Sequence, residues 1–146
     1  MVAELIEPPD AEAAVIAHVA AGLATQWDFE AVEVLGALST RTADYTPPAE
    51  SVVVRRTGGS ERDLIVDDAQ VTLTAWAERP GDEERASAIA RRAHAIVCAA
   101  ERVGFMGDVA CSQVRALSTP YADPDPITAR ARYSATYVVA LRGQVL

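Results

Sequence analysis

The sequence predicts an α+β fold: a mixed, mostly antiparallel β-sheet of about four to five strands packed by two α-helices, in the order α-β-β-β-α-β-β. Three observations predict it. Asp82 to Val103 repeats apolar residues at helical spacing: Ala86, Ile89, Ala90, Ala93, Ile96, Val97, Ala100 and Val103 fall on one face. Ala69 to Ala77 and Ala131 to Arg142 alternate apolar and polar residues, the period of half-buried strands. Strands adjacent in sequence are joined by short connections, which favours antiparallel pairs.

Taken in order, the first helix lies within Glu7 to Leu23. Asp10 is its N-cap, and Ala14, Val15, His18, Val19 and Leu23 form its apolar face, with Gly22 weakening its end. His18 reads as a half-buried neutral imidazole beside that face. A strand is expected near Ala31 to Ser39, where Val32, Val34 and Leu35 cluster and Gly36 marks a bend. Arg41 to Glu50 is a polar loop held extended by Pro47-Pro48.

Ser51 to Thr57 is the next strand, and Gly58-Gly59 is expected to end it. Ser60 to Asp68 reads as a projecting loop or wide hairpin. In the strand Ala69 to Ala77, Val71, Leu73 and Ala75 share one face, while Gln70, Thr72, Thr74 and Trp76 share the other. Trp76 on the polar side either packs under a loop or the first helix, or anchors an interface.

The second helix opens after Pro80-Gly81. Asp82 caps it, Glu83 and Glu84 sit in the first turn, where the helix dipole favours anions, and Gly104 stops it. Its stripe is alanine and short aliphatics, so it should lie close to the sheet. At about 1.5 Å per residue it spans roughly 33 Å. Asp108 to Leu117 is a strand whose better core face is Ala110, Ser112, Val114 and Ala116. Ser118 to Arg130, with its prolines and two Asp-Pro steps, is expected to hold no regular structure. The last strand, Ala131 to Arg142, turns Tyr133, Ala135, Tyr137, Val139 and Leu141 to one face.

The 146 residues are one domain by size, spanning 1–146, with a single sizeable core. No apolar run approaches the roughly 18 residues of a membrane span. The N-terminus carries acids and no basic segment, so no secretory signal is expected. Cys98 and Cys111 stand apart with no CxxC, which suggests two free thiols in a reducing compartment. A chain of net charge −8 is not expected to bind nucleic acid by phosphate neutralisation unless its cations cluster strongly, though it can face DNA without holding it. All 13 basic residues are arginine. GC-rich coding bias produces that pattern, and arginine also suits fixed two-bond contacts across subunit interfaces.

Motifs of enzymatic chemistry are absent. No GxGxxG follows a strand, and there is no GxxxxGK[ST], GxSxG or HExxH. His94 and Cys98 share a helix flank that Cys111 can approach, but small thiols and neutral imidazoles are ordinary filling beside a buried stripe. Asp67-Asp68 and Glu83-Glu84 diverge in direction and suit surface and capping roles. Asp123 and Asp125 fit turn roles better than a cation site. Residue chemistry alone therefore gives no activity, no cofactor and no metal site.

Four stretches carry a family resemblance: PPDAEAAVIAHVAAGLA, PPAESVVVRRTGG, VDDAQVTLTAWA and PYADPDPITARARYSATYVVALRG. In this order and spacing they resemble the tail terminator proteins of long-tailed phages that infect actinobacteria. The resemblance covers nearly the whole chain and is weakest from Trp27 to Tyr45. It implies a tail-terminator-like fold and a structural virion protein with no enzymatic role and no cofactor. Such proteins form a ring, usually a hexamer, on the head-proximal end of the tail tube. The ring ends tube polymerisation and joins the tail to the head connector.

The implied partners are further copies of the chain, the major tail tube protein and the head–tail connector or stopper protein. Genomic DNA passes through the lumen without specific binding, and no membrane is involved. The implied location is the tail–neck junction of the virion, after assembly in the host cytoplasm. Candidate interface residues are Arg55, Arg56 and Arg62 around the double glycine, Trp76, and Tyr121, Asp123 and Asp125 of the Asp-Pro loop. Two other readings stay open: a head-closure or stopper protein of the neck, and a small α/β enzyme or ligand-binding domain.

Overall fold

The structure is a computed structural model, and it describes residues 2–36 and 49–146. Ten elements follow in the order β1 (Ile6–Glu7), α1 (Ala11–Ala24), β2 (Glu33–Gly36), β3 (Ser51–Glu61), β4 (Val66–Pro80), α2 (Glu83–Val103), β5 (Phe105–Met106), β6 (Val109–Ala122), β7 (Arg130–Arg142) and β8 (Gln144–Val145). The fold is α+β, with two helices against a mixed sheet. The main sheet has six strands in the order β2-β3-β4-β7-β6-β5, rather than four or five. Among the described residues β2 runs parallel to its neighbour β3, and the other pairs of this sheet are antiparallel. The two-residue strands β1 and β8 pair near the chain ends as a separate ribbon.

Both helices begin as their capping residues dictate. The Ala13 N–H donates to Asp10 Oδ1 at 3.0 Å, and the Arg85 N–H donates to Asp82 Oδ1 at 3.2 Å. Gly104 ends α2 in the left-handed conformation at φ 89°, its N–H bonded to the Ala100 carbonyl. The stripe Ala86, Ile89, Ala90, Ala93, Val97 and Ala100 is buried on the sheet. Val103 is not part of it and is 66% exposed.

The core is the space between the helices and one face of the sheet. Val15, Val19 and Leu23 of α1 meet Val52, Val54, Val71, Leu73, Tyr137, Val139 and Leu141 there. Each buried branched side chain contributes on the order of 1.5–3 kcal/mol. Truncating Ile89, fully buried at the centre of α2, to alanine should cost about 2–5 kcal/mol.

Gly22 has a packing role. A methyl group there would stand 2.6 Å from Ile96 Cγ2, so glycine lets the two helices approach closely, and α1 continues past it to Ala24. His18 locks the same junction. Its Nε2 lies 2.7 Å from the Ile96 carbonyl, and its Nδ1 accepts from the Gly107 N–H, which makes Nε2 the protonated nitrogen.

Three expectations are corrected. Gly58-Gly59 does not end β3, which runs on to Glu61. A bulge between Arg56 and Gly58 re-registers the pair with β4, and Gly59 at φ 118° permits it, because a Cβ there would lie 2.3 Å from the Asp68 carbonyl oxygen. Ser60 to Asp68 is thus the end of a long hairpin.

Ser118 to Ala122 is strand rather than loop. Its partner β7 extends far enough to pair it, with Tyr121 opposite Ser134 and Ala122 opposite Tyr133. Pro120 falls within an irregularity of the ladder, where its missing N–H does no harm.

The inward face of β6 also changes phase. Cys111 is 3% exposed and faces the core, Ser112 is exposed in a bulge, and only then do Val114 and Ala116 turn inward. The strand expected near Ala31 to Ser39 is β2, described over Glu33–Gly36; residues 37–39 of the expected span lie outside the described residues, as do residues 41–48 of the expected Arg41–Glu50 loop.

Candidate assembly surface

Both helices pack on one face of the main sheet, and among the described residues no helix covers the other. Strand alternation decides what that uncovered face carries. Ala69, Val71, Leu73 and Ala75 of β4 point to the helices, so Asp68, Gln70, Thr72, Thr74 and Trp76 point away. Their cross-strand partners follow: Arg55 lies opposite Thr72, Thr136 opposite Thr72 on the other side, Val138 opposite Gln70 and Ala140 opposite Asp68. On β6, Gln113 and Arg115 pair with Ala140 and Val138 and share the face.

The centre of the face is a ladder of hydroxyls. Thr57, Thr72 and Thr136 are linked at 3.0 and 3.1 Å, and Thr74 reaches Ser134 at 3.4 Å. These short side chains satisfy one another and leave the surface low. At one end, Arg62 is shared between Asp68, at 3.1 Å from Nε, and Gln113, at 2.9 Å from Nη2. Beside them Val138 and Ala140 floor a shallow depression of about 130 Å³, with Arg62 and Arg115 on its rim.

At the other end Trp76 is 5% exposed. It faces away from the first helix and packs against arginine. The guanidinium carbons of Arg130 and Arg132 each stand 5.1 Å from its ring centre, a cation–π sandwich. Arg130 also donates to the Ala77 carbonyl at 2.8 Å and the Ala49 carbonyl at 2.9 Å. Arg132 donates to the Asp123 carbonyl at 2.7 Å and pairs with the Asp123 carboxylate.

Asp123 accepts from Ser134 as well. Asp125 is 8% exposed and closes a turn, accepting from the Thr128 hydroxyl and from the Ile127 and Thr128 N–H groups. The Thr128 hydrogen bond, more than any other contact, holds its carboxyl below the usual carboxylate range.

The sequence-predicted candidates therefore separate into groups. Arg55 is exposed on the uncovered face and forms no salt bridge among the described residues. Tyr121 is half exposed on the same face, opposite Ser134. Arg62 lies on this face but is engaged by Asp68 and Gln113. Arg56 lies on the helix side and is bound to Asp67 of its own hairpin. Trp76, Asp123 and Asp125 are all held within the subunit.

Sequence reading passed over Arg115, Gln113, Arg130 and Arg132. The alternation of β7 was signal enough to place Arg132 on the face away from Tyr133, but its pairing with Trp76 depends on a register that sequence does not supply.

A second region of note is the start of α2. Asp28, Glu50, Glu78 and Asp82 line a groove with Arg79 and Arg85, and Glu83 and Glu84 follow in the first helical turn. Arg85 organises it. Its guanidinium binds both Glu50 carboxylate oxygens, reaches the Asp28 carboxylate and carbonyl at 3.0 and 2.6 Å, and covers the Phe29 ring at 4.8 Å. Glu50, above all, holds Arg85 more firmly protonated than an isolated arginine.

The histidine–cysteine flank is internal packing. Tyr137 is 1% exposed, with its hydroxyl 2.7 Å from His94 Nδ1, and Cys98 Sγ lies 3.7 Å from His94 Nε2. Burial pushes the Cys98 and Cys111 thiols up, away from the reactive thiolate. Cys111 points its thiol to the Gln113 carbonyl. Among the described residues no group of three metal-ligating side chains converges, and no helix is long and apolar enough to cross a membrane. No protein-family model matches the chain, and a search of curated proteins finds no relative.

Proposed function

We propose that this chain is a structural virion protein, a tail terminator. It forms a ring on the head-proximal end of a long-tailed phage's tail tube, halts tube polymerisation and offers the head connector a seat. The observation that carries this reading is the sheet face that no helix covers among the described residues: four strands wide, rich in short hydroxyl side chains and edged by arginines. A broad, low surface of that kind suits contact with another protein subunit better than capture of a small molecule.

Two further features support it. The four stretches that resemble tail terminators fall on defined parts of this fold: α1, most of β3, most of β4, and the end of β6 through β7. The acidic net charge of −8 suits a lumen through which DNA slides without adhering.

The test is to mix gold-labelled protein with purified tail tubes that lack it and image them. Label confined to one tube end, with further tube growth blocked there, supports terminator action. Label along the tube walls, or none at the ends with growth unimpeded, overturns it.

A further inference from the structure

The charges of this chain are sorted by surface. The uncovered face carries Arg55 on β3 and Arg115 on β6, both exposed and neither in a salt bridge among the described residues. β3 and β6 are three strands apart in the sheet, so these cations are separated by roughly 14 Å at ordinary strand spacing. The carboxylates on this face, Asp68 and Asp123, are each tied to an arginine. The surplus acid of a chain with net charge −8 therefore lies elsewhere. Much of it gathers at the start of α2, where Glu78, Glu83 and Glu84 are exposed and form no salt bridge among the described residues.

Opposite patches on different sides of one molecule restrict how copies can meet. A two-fold contact of the sheet face with itself sets arginine against arginine, and a two-fold contact of the acidic ends sets glutamate against glutamate. A head-to-tail contact brings the two signs together without either clash. That contact is heterologous, and it closes into a ring where the rotation between copies allows. The threonines, Val138 and Ala140 between the arginines are short enough for a helix end to approach the sheet closely.

We infer that the uncovered sheet face is the docking surface for a second copy of this chain, which seats its acidic α2 start on Arg55 and Arg115 through Glu78, Glu83 and Glu84. This rests on the ring reading above and supplies the interface that would build the ring.

The test uses two double variants of the full chain, R55E/R115E and E83R/E84R, each first checked for wild-type circular dichroism and melting temperature. Particle mass is measured by size-exclusion light scattering at about 50 mM and 500 mM salt, conditions chosen to vary charge screening. Expected is a wild-type assembly whose mass falls toward 15.5 kDa as salt rises. Each variant alone should stay at monomer mass at both salts. An equimolar mixture of the two should regain the assembly, because each reversed surface then meets a reversed partner.

Wild-type assembly that both variants retain overturns this interface and leaves the ring reading standing. A wild type that stays monomeric at every salt and concentration also overturns it, while tube-end labelling decides the ring reading separately. Binding to duplex DNA that R55E/R115E abolishes, with particle mass unchanged, reassigns the face to nucleic acid and likewise overturns the inference.

Discussion

Arg56 and Asp67 face each other across the β3–β4 hairpin in a two-bond pair, Nη1 to Oδ2 at 2.6 Å and Nη2 to Oδ1 at 2.9 Å. Asp67 is almost wholly buried, with 6% of its side chain exposed against 35% for Arg56. The Arg56 Nε donates to the Gly58 carbonyl at 3.0 Å, so the same guanidinium also holds the bulge that re-registers the strands. The Asp67 hydrogen bond keeps Arg56 more firmly protonated than an isolated arginine. Removing the arginine strands a buried carboxylate. Arg56→Ala should therefore lower stability by about 1–3 kcal/mol, read from urea melts. Arg55→Ala, one residue away with no such pair, should change it by less than about 0.5 kcal/mol.

The two tryptophans report opposite environments. Trp27 is 85% exposed and Trp76 is 5% exposed. Iodide quenching of the folded protein should split into an accessible and a protected component of comparable weight. Trp27→Phe should remove the accessible component alone. Trp76→Ala, which empties the space beneath Arg130 and Arg132, should cost about 3–5 kcal/mol. A single uniform quenching constant would contradict the sandwich.

Tyr137 is fully buried against His94, and desolvation raises its phenol well above the ordinary range. The sign for stability follows from linkage. The native state keeps its proton at pH values where the unfolded state releases one, so the contribution is whole below about pH 10 and is lost as pH rises beyond it. In an ultraviolet titration of the native protein Tyr137 should stay unionised at pH 11, a protected phenol that Tyr137→Phe removes. Tyr137→Phe should cost about 1 kcal/mol at neutral pH and flatten the alkaline loss.

Asp125 behaves in the opposite sense. Its carboxyl is held low, chiefly by Thr128, so its contribution is present above the unfolded value near 4 and is lost as pH falls through the lower folded value. Amide exchange at Ile127 and Thr128 should therefore accelerate, beyond its intrinsic pH dependence, as the solution is taken below about pH 4. Asp125→Ala should produce the same loss of protection at neutral pH. Protection that persists in the variant would show that the turn is held by other contacts.

Much of this fold is legible locally. Asp82, the alanine stripe and Gly104 announce α2, because capping and periodicity are decided within a few residues. The alternation of β7 likewise gives its core face correctly. What sequence misses depends on distant partners. Pro120 reads as a strand breaker until β7 supplies a ladder whose irregularity absorbs it. Gly58-Gly59 reads as a terminus until Gln70 and Ala69 lie opposite.

The candidate surface is legible in kind rather than in membership. Arg55 and Tyr121 are exposed as an interface requires. Arg56 and Trp76 are equally conspicuous in sequence, but their companions Asp67, Arg130 and Arg132 are set by hairpin register and sheet order. The two-residue strands β1, β5 and β8 have no sequence signal of their own; they exist because pairing partners pass close by.

The central claim is that this polypeptide acts by shape and self-association at the end of a polymer. Electron microscopy of particles assembled without it tests that claim most directly. Expected are tail tubes of uncontrolled length, unattached to DNA-filled heads. Tails of normal length joined to filled heads would contradict the claim, and normal-length free tails beside leaking heads would move the protein to head closure instead.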